Sequence, residues 1–316
     1  MTNKYHVIFG TGPVGMAIMD ALYKKGYSIK MVNRSGKTTE PLPDGVELIR
    51  GDLSDERVAV QAAQDAAVIY KALNPPYSKW VELFPQLQAN AIAAAESSGA
   101  KLVVMENLYA YGDPNGQPMI EETPYNAHTK KGKLRAEMSR DLMAAHHARR
   151  IQVVVGRASD FIGPRVMVSA MGGDIVLKAA IKGKAAQVIG DVDTLHSYTY
   201  MPDIGKALVT LAEHDDALGQ IWHVPTPKAI TTRQMLELIY AEAGHPLKIQ
   251  VAPKWLLRIM GLFNPDAGEM VEMIYEFDRM FIIDDTKFVK RFGWEATPLD
   301  QAIRDTVAWF KAHSSE

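Results

Sequence analysis

The chain has 316 residues, 47% of them hydrophobic and 23% charged, which suits a folded core with an appendage rather than a disordered chain. A formal net charge of -2 excludes the basic footprint of a nucleic-acid binder and a polybasic membrane surface. The absence of cysteine excludes disulfides, thiolate metal sites and a cysteine nucleophile, and no metal site is expected. No apolar run has the length of a membrane span, and the first strand begins too early for a signal peptide. The expected location is cytoplasmic.

The first element is the most informative. An apolar strand, Val7 to Phe9, runs into Gly10-Thr11-Gly12-Pro13-Val14-Gly15, and an amphipathic run from Val14 to Lys25 follows. A strand, a Gly-x-Gly-x-x-Gly turn and a helix in that order form a dinucleotide cradle. The first glycine allows the tight turn, the second lets a pyrophosphate approach the backbone, and the third lets the helix pack on its strand. The helix N-terminus offers free N–H groups to the phosphates.

The second strand, Ser28 to Val32, ends in Asn33-Arg34-Ser35-Gly36-Lys37. A carboxylate about twenty positions past the glycines would hold the ribose of NAD. None is present, and Arg34 offers a planar fork suited to a 2′-phosphate. NADP is therefore the expected cofactor over NAD; a solvated loop arginine is the alternative reading of Arg34.

Further strands follow at Val46–Arg50, Ala67–Ala72, Lys101–Glu106 and Ile151–Gly156, separated by helices at Glu56–Gln64, Leu83–Ser97 and Lys130–His147. This alternation implies right-handed crossovers and a Rossmann-type, doubly wound parallel α/β sheet. The expected division is a dinucleotide-binding domain over 1–157, to which later segments return, and a mainly substrate-binding region over 158–316. The second half is less regular, with helices at Ile175–Ile181, Ile204–Glu213, Thr232–Ala243, Lys254–Leu262 and Leu299–Ala312. Met260, Met270 and Met273 fall at helical spacing and read as core filler rather than as a flexible groove.

Five stretches carry a family resemblance: Gly10 to Gly15, Gly51-Asp52-Leu53-Ser54-Asp55, Tyr111-Gly112, Lys133-Leu134-Arg135-Ala136-Glu137 and Gly163-Pro164. Tyr198 to Asp203 and Phe292 to Leu299 add support. Over nearly its whole length the chain resembles the extended short-chain dehydrogenase/reductases, the NAD(P)-dependent epimerase/dehydratase group. The resemblance implies that Asp52 and Leu53 touch the adenine and that Ala72-Leu73-Asn74 runs beside the cofactor. It also implies a small-molecule substrate, and it allows a homodimer through two sheet-flanking helices.

The chemistry of the family rests on a Tyr-x-x-x-Lys pair with a Ser or Thr. Here Lys133 takes the lysine place, Thr129 the tyrosine place and Asn107 the serine place. A phenol with a pKa near ~10 can be drawn toward neutrality by a cation, whereas an aliphatic hydroxyl cannot. Thr129 is thus expected to donate a hydrogen bond and not to ionise, while Lys133 holds the nicotinamide ribose. Tyr125, after Pro124 at an expected helix start, is the candidate acid; His128 is a second, and packing or solvation is the alternative for both. Sugar-nucleotide members carry an Arg where this chain has His196 and an Asn where it has Asp160. Both residues are expected to face substrate, with a structural pairing of Asp160 to Arg157 as the alternative. Three functions remain open: an atypical NADP-dependent reductase of a small carbonyl or enone, a silent NADP(H) sensor, and a sugar epimerase or dehydratase.

Overall fold

The computed structural model describes residues 4–169, 173–253 and 271–313. The expected helix Lys254–Leu262, with Met260 and Met270, lies outside them. The chain divides into two compact units: residues 1–110, 130–157 and 204–222 form the first, and residues 111–129, 158–203 and 223–316 the second.

In the first unit, strands β1 (Tyr5–Phe9), β2 (Ile29–Asn33), β3 (Glu47–Arg50), β4 (Ala66–Lys71), β5 (Lys101–Glu106) and β6 (Gln152–Arg157) alternate with helices α1 (Pro13–Lys24), α2 (Glu56–Ala62), α3 (Trp80–Ser98) and α4 (Lys130–His147). They build a seven-stranded sheet, whose last member is a short strand at Ile221–His223, in the order 3-2-1-4-5-6 and then that strand. The strand pairs from β3 across to β6 are all parallel. Alternation along each strand sends Val7, Phe9, Ile69, Leu102, Val104, Val153 and Val155 into one buried cluster with alanines of α2 and α3. This is the doubly wound parallel sheet that the alternating sequence implies.

The same alternation puts three charges at the C-terminal ends of neighbouring strands, on the face of that core. Lys71, Glu106 and Arg157 are 2%, 2% and 0% exposed. Arg157 donates from Nε and Nη2 to Glu106 Oε2 at 3.1 and 3.0 Å, and from Nη2 to Ser139 of α4 at 2.7 Å. Arg135 of α4 lies over Phe84, its guanidinium carbon 5.0 Å from the ring centre, and the Lys71 ammonium lies 5.2 Å from the same ring. Positive charge outnumbers negative in this layer. Burial, and then the charge of Arg135, push the Lys71 amine down to about 7, although Glu106 pulls the other way.

The second unit holds β7 (Asp160–Ile162), α5 (Asp174–Ile181), β8 (Ala186–Ile189), β9 (Leu195–His196), β10 (Tyr198–Tyr200), β12 (Ile230–Thr231), α7 (Thr232–Ala243) and β13 (Ile249–Ala252), with later helices at Tyr275–Asp278, Thr286–Phe292 and Leu299–His313. Here β11 denotes Ile221–His223, and α6 the helix Met201–Glu213. Three two-stranded sheets pair β10 with β7, β12 with β9 and β13 with β8. The core joins Leu177, Val188, Tyr198, Leu236, Tyr240, Ile303 and Phe310, and the helix α7 starts with a capping box made by Thr231 and Gln234. Met273 is buried at 2% exposure, as core filler would be, although it lies in a turn before Tyr275 and not in a helix.

Two outcomes follow from this packing. A Cβ at Gly205 of α6 would sit 2.2 Å from the Ala17 carbonyl oxygen of α1, so two backbones touch there. Gly205→Ala should cost about 2–3 kcal/mol or more in urea melts. Gly99→Ala, at a left-handed cap with open space around it, should cost only about 1–2 kcal/mol. The second outcome concerns Lys71. The unfolded chain holds its proton up to about pH 10.5, whereas the folded one releases it near 7. Between those values the unfolded state binds more protons, so this group makes stability rise with pH. Lys71→Met should flatten that rise by roughly 2–4 kcal/mol between neutral and alkaline pH, and should not lower stability at pH 7.

Candidate functional site

The turn after β1 belongs to the first unit and is built from backbone alone. Gly10 adopts φ +110°, and a Cβ there would lie 2.7 Å from the Ala72 carbonyl oxygen. A Cβ on Gly15 would lie 2.2 Å from the Gly10 carbonyl oxygen, so only glycine allows α1 to start this close to β1. Gly12 differs: nothing lies within 4 Å of its Cβ position, and its φ of -72° suits any residue. Side-chain space is therefore closed at Gly10 and Gly15 and open at Gly12. No side chain caps α1, whose first residue is Pro13, so the first-turn N–H groups of Val14 and Gly15 point past the helix end without an intrahelical acceptor.

Asn33 links this turn to the tip of β2. Its Nδ2 donates to Thr11 Oγ1 at 2.7 Å and to the Lys37 carbonyl at 2.8 Å, and its Oδ1 accepts from the Gly36 N–H at 2.7 Å. The loop it holds bounds an open cleft of about 440 Å³ lined by Thr11, Asn33, Arg34, Ser35, Lys37, Thr38 and Thr39. The lining carries two exposed cations, four hydroxyls and no carboxylate. Thr38, Thr39 and Lys37 add to the residues singled out in the sequence; the cluster of hydroxyl and basic residues after β2 was their signal. Asp52 is exposed beside the cleft. The Ser54 N–H and hydroxyl, at 3.0 and 2.8 Å, hold its carboxyl below the usual range, and the Arg34 charge acts in the same direction. Leu53 is buried, its carbonyl accepting from Asn90 at 2.8 Å. Ala72 follows β4 and bonds from its N–H to the Phe9 carbonyl, which fixes the start of Ala72-Leu73-Asn74 against the glycine turn.

An NAD-type dinucleotide fits these residues: open space at Gly12, an uncapped helix start and a polar cleft at the tip of β2 lie together on one unit. The residues expected at the family's catalytic positions are spread along the chain. Asn107 is half-buried and caps the turn at Tyr109, whose N–H donates to Asn107 Oδ1 at 3.3 Å. Lys133 is exposed on the first turn of α4, while the buried lysine of that turn is Lys131, its ammonium 4.2 Å from the Tyr77 ring centre. Thr129 is buried immediately before α4. The helix starts at Lys130 and not at Pro124, so Tyr125 lies in a loop. The Asn126 N–H bonds to the Tyr111 carbonyl, and that backbone presses on Gly112, which keeps the segment out of the helix. Tyr125 meets Tyr111 edge to face at 5.9 Å, and exposed His128 lies 5.1 Å from Tyr275.

In the second unit the structure brings Asp160 and His196 together. Asp160 Oδ2 lies 2.9 Å from His196 Nε2, whereas Arg157 bonds to Glu106. Asp160 thus pairs with His196, while the guanidinium of Arg157 pairs with Glu106. Glu276 lies next to them at 1% exposure, and burial followed by the Asp160 charge pushes its carboxyl well above the usual range. Sequence reading missed Glu276, since nothing local marks it. Tyr111 donates to His223 Nε2 at 2.7 Å, because His223 Nδ1 is committed to the Asp284 carbonyl at 2.8 Å. Among the described residues no group of three or more acidic, His or Cys side chains could hold a metal ion, and no helix is long and apolar enough to cross a membrane.

Comparison with known proteins agrees with this architecture. The dTDP-6-deoxy-L-talose 4-dehydrogenase (NAD(P)(+)) of Kitasatospora kifunensis is 27% identical over 78% of this chain and 81% of its own length. The UDP-glucose 4-epimerase of Corynebacterium glutamicum is 22% identical over 98% and 96%. Among solved structures, the UDP-glucose 4-epimerase of Thermus thermophilus in complex with NAD superposes with a TM-score of 0.79 at 20% identity, covering 98% of this chain and 99% of that one. Residues 7–224 match the family described as NAD dependent epimerase/dehydratase, and the chain belongs to that family.

Proposed function

We propose that this protein is an NADP(H)-dependent oxidoreductase that reduces a small carbonyl compound or enone without a catalytic tyrosine. The observation that carries the cofactor choice is the cleft at the tip of β2, where Arg34 and Lys37 stand among hydroxyls with no carboxylate. A 2′-phosphate there gains charge-assisted hydrogen bonds, and the cleft's own lining offers an adenosine ribose no acid to hold its hydroxyls. The pyrophosphate lies over Gly12 at the start of α1, Asp52 and Leu53 border the adenine, and Ala72-Leu73-Asn74 runs beside the cofactor. Lys133 meets the nicotinamide ribose with a point charge and donors, a task that does not need the family tyrosine. The bound nicotinamide supplies hydride. Thr129 and Asn107 orient groups by hydrogen bonding, and the division into a dinucleotide-binding part and a substrate-binding part follows.

Asp160 and His196 face substrate in this reading. Their mutual bond commits the two side chains to each other, which supports it over the nucleotide-sugar activities named for the relatives. A silent NADP(H) sensor is the second reading, favoured by Thr129 in the tyrosine place; oxidation of NADPH by any carbonyl compound separates the two.

Calorimetry should find NADPH bound more tightly than NADH. Arg34→Ala should narrow that preference about tenfold or more, leaving NADH affinity nearly unchanged, since a charged hydrogen bond contributes roughly 1.5–3 kcal/mol. Equal affinities in the unaltered protein would refute the cofactor choice. Gly12→Val should keep its thermal melt, because space around the Cβ is open, and should lose cofactor binding. A folded variant that binds NADPH normally would remove the pyrophosphate from Gly12.

A further inference from the structure

The four hydroxyls of the cleft after β2, all within the first unit, differ in what each has left to give a ligand. The amide of Asn33 decides the difference. The Gly36 N–H only donates, and it meets Asn33 Oδ1 at 2.7 Å. The Lys37 carbonyl only accepts, and it meets Nδ2 at 2.8 Å. These two backbone groups fix which end of the amide is oxygen, so Nδ2 is the donor to Thr11 Oγ1 at 2.7 Å. Thr11 therefore spends a lone pair on Asn33 and keeps its hydroxyl hydrogen.

Two of the other hydroxyls are spent on the loop itself. Ser35 Oγ lies 3.1 Å from the Lys37 carbonyl and 3.3 Å from Asn33 Oδ1, both acceptors, and takes the Lys37 N–H at 3.2 Å. Thr38 donates to the Glu40 carbonyl at 2.7 Å. Their hydrogens hold the loop in shape. Thr11 and Thr39 remain, and Thr39 is exposed. Thr11 is half-buried in the glycine turn and lines the cleft. Asn33 ties it to the loop that carries Arg34 and Lys37, so one fixed neutral donor and two exposed cations border the same space.

We infer that the Thr11 hydroxyl, aimed by Asn33, donates a hydrogen bond to the 2′-phosphate of NADP(H) and is a specificity-determining group beside Arg34. The inference rests on the NADP(H) reading above. A phosphate oxygen offers only lone pairs, which matches the hydrogen that Thr11 has left. An O–H donor to a charged oxygen makes a short, strong bond, whereas the neutral 2′-hydroxyl of NAD(H) gains less from the same donor. Asn33 itself does not reach the cofactor in this arrangement, because both of its amide hydrogens and its oxygen are engaged by Thr11, Lys37 and Gly36.

The test is calorimetry with NADPH and NADH on Thr11→Val, which keeps the side-chain shape and removes the hydroxyl. We expect NADPH to bind about tenfold more weakly and NADH within about twofold of the unaltered protein. Thr11→Ser, which restores the hydroxyl, should keep NADPH affinity within about threefold, and Thr11→Ala serves if the valine variant does not fold. Loss of Thr11 also frees Asn33, so Arg34→Ala is added to Thr11→Val to separate a phosphate donor from a loop anchor. A donor leaves Arg34 in place, and Arg34→Ala should then cost a further loss of about threefold or more. A further loss below about threefold would mean that Thr11 only anchors the loop, which overturns the inference. Unchanged NADPH affinity in Thr11→Val, or equal losses for NADPH and NADH, would also overturn it and leave the cofactor reading standing. Equal affinities for the two in the unaltered protein would overturn the cofactor reading and this inference with it.

Discussion

The first unit depends on backbone meeting backbone at the end of β1. Side-chain atoms at Gly10 or Gly15 would fall within 2.2–2.7 Å of carbonyl oxygens, so the strand, the turn and α1 can close only as glycine. That closure puts the start of α1 at the C-terminal edge of the central strand of a parallel sheet. Crossovers in such a sheet leave that edge open to ligands at the point where strand order reverses, here between β1 and β4. Gly205 repeats the device one layer out, where α6 backs onto α1.

Charge is arranged differently at the tip of β2 and at Asp160 and His196. At the tip of β2 cations stand in a solvent-exposed loop, cheap to solvate and available to an anion. Asp160 and His196 instead bond to each other, with Phe277 and Phe281 stacked on the His196 ring. The buried strand-end layer of Lys71, Glu106, Arg135 and Arg157 is a third arrangement, in which excess positive charge is relieved by depressing the affinity of Lys71 for its proton.

Much of the fold was legible because its signals are local. Alternating apolar strands and helices of adequate length, with Gly10, Gly12 and Gly15 between the first two, specify a parallel sheet and its first crossover within a residue or two at most boundaries. Asn33 and Arg34 were legible for the same reason: they follow a recognisable strand end. Contacts between distant residues were not. Asp160 and His196 each looked anomalous alone, but nothing in sequence joined residues 36 apart, and Glu276 carries no local mark at all. Helix α4 spans Lys130–His147 as its sequence pattern implies, but no helix begins at Pro124: the pinning of Asn126 to Tyr111 is a tertiary constraint that overrides that local signal. The strand-end charges could have been read: Lys71, Glu106 and Arg157 each close an apolar strand at the same point of its alternation.

The central claim is that the loop after β2 holds a 2′-phosphate. A crystal structure of the complex with NADP tests it most directly. The account requires the 2′-phosphate within hydrogen-bond distance of Arg34 and of at least one hydroxyl among Ser35, Thr38 and Thr39, with the pyrophosphate against Gly12. A 2′-phosphate directed into solvent, away from Arg34 and Lys37, would contradict it.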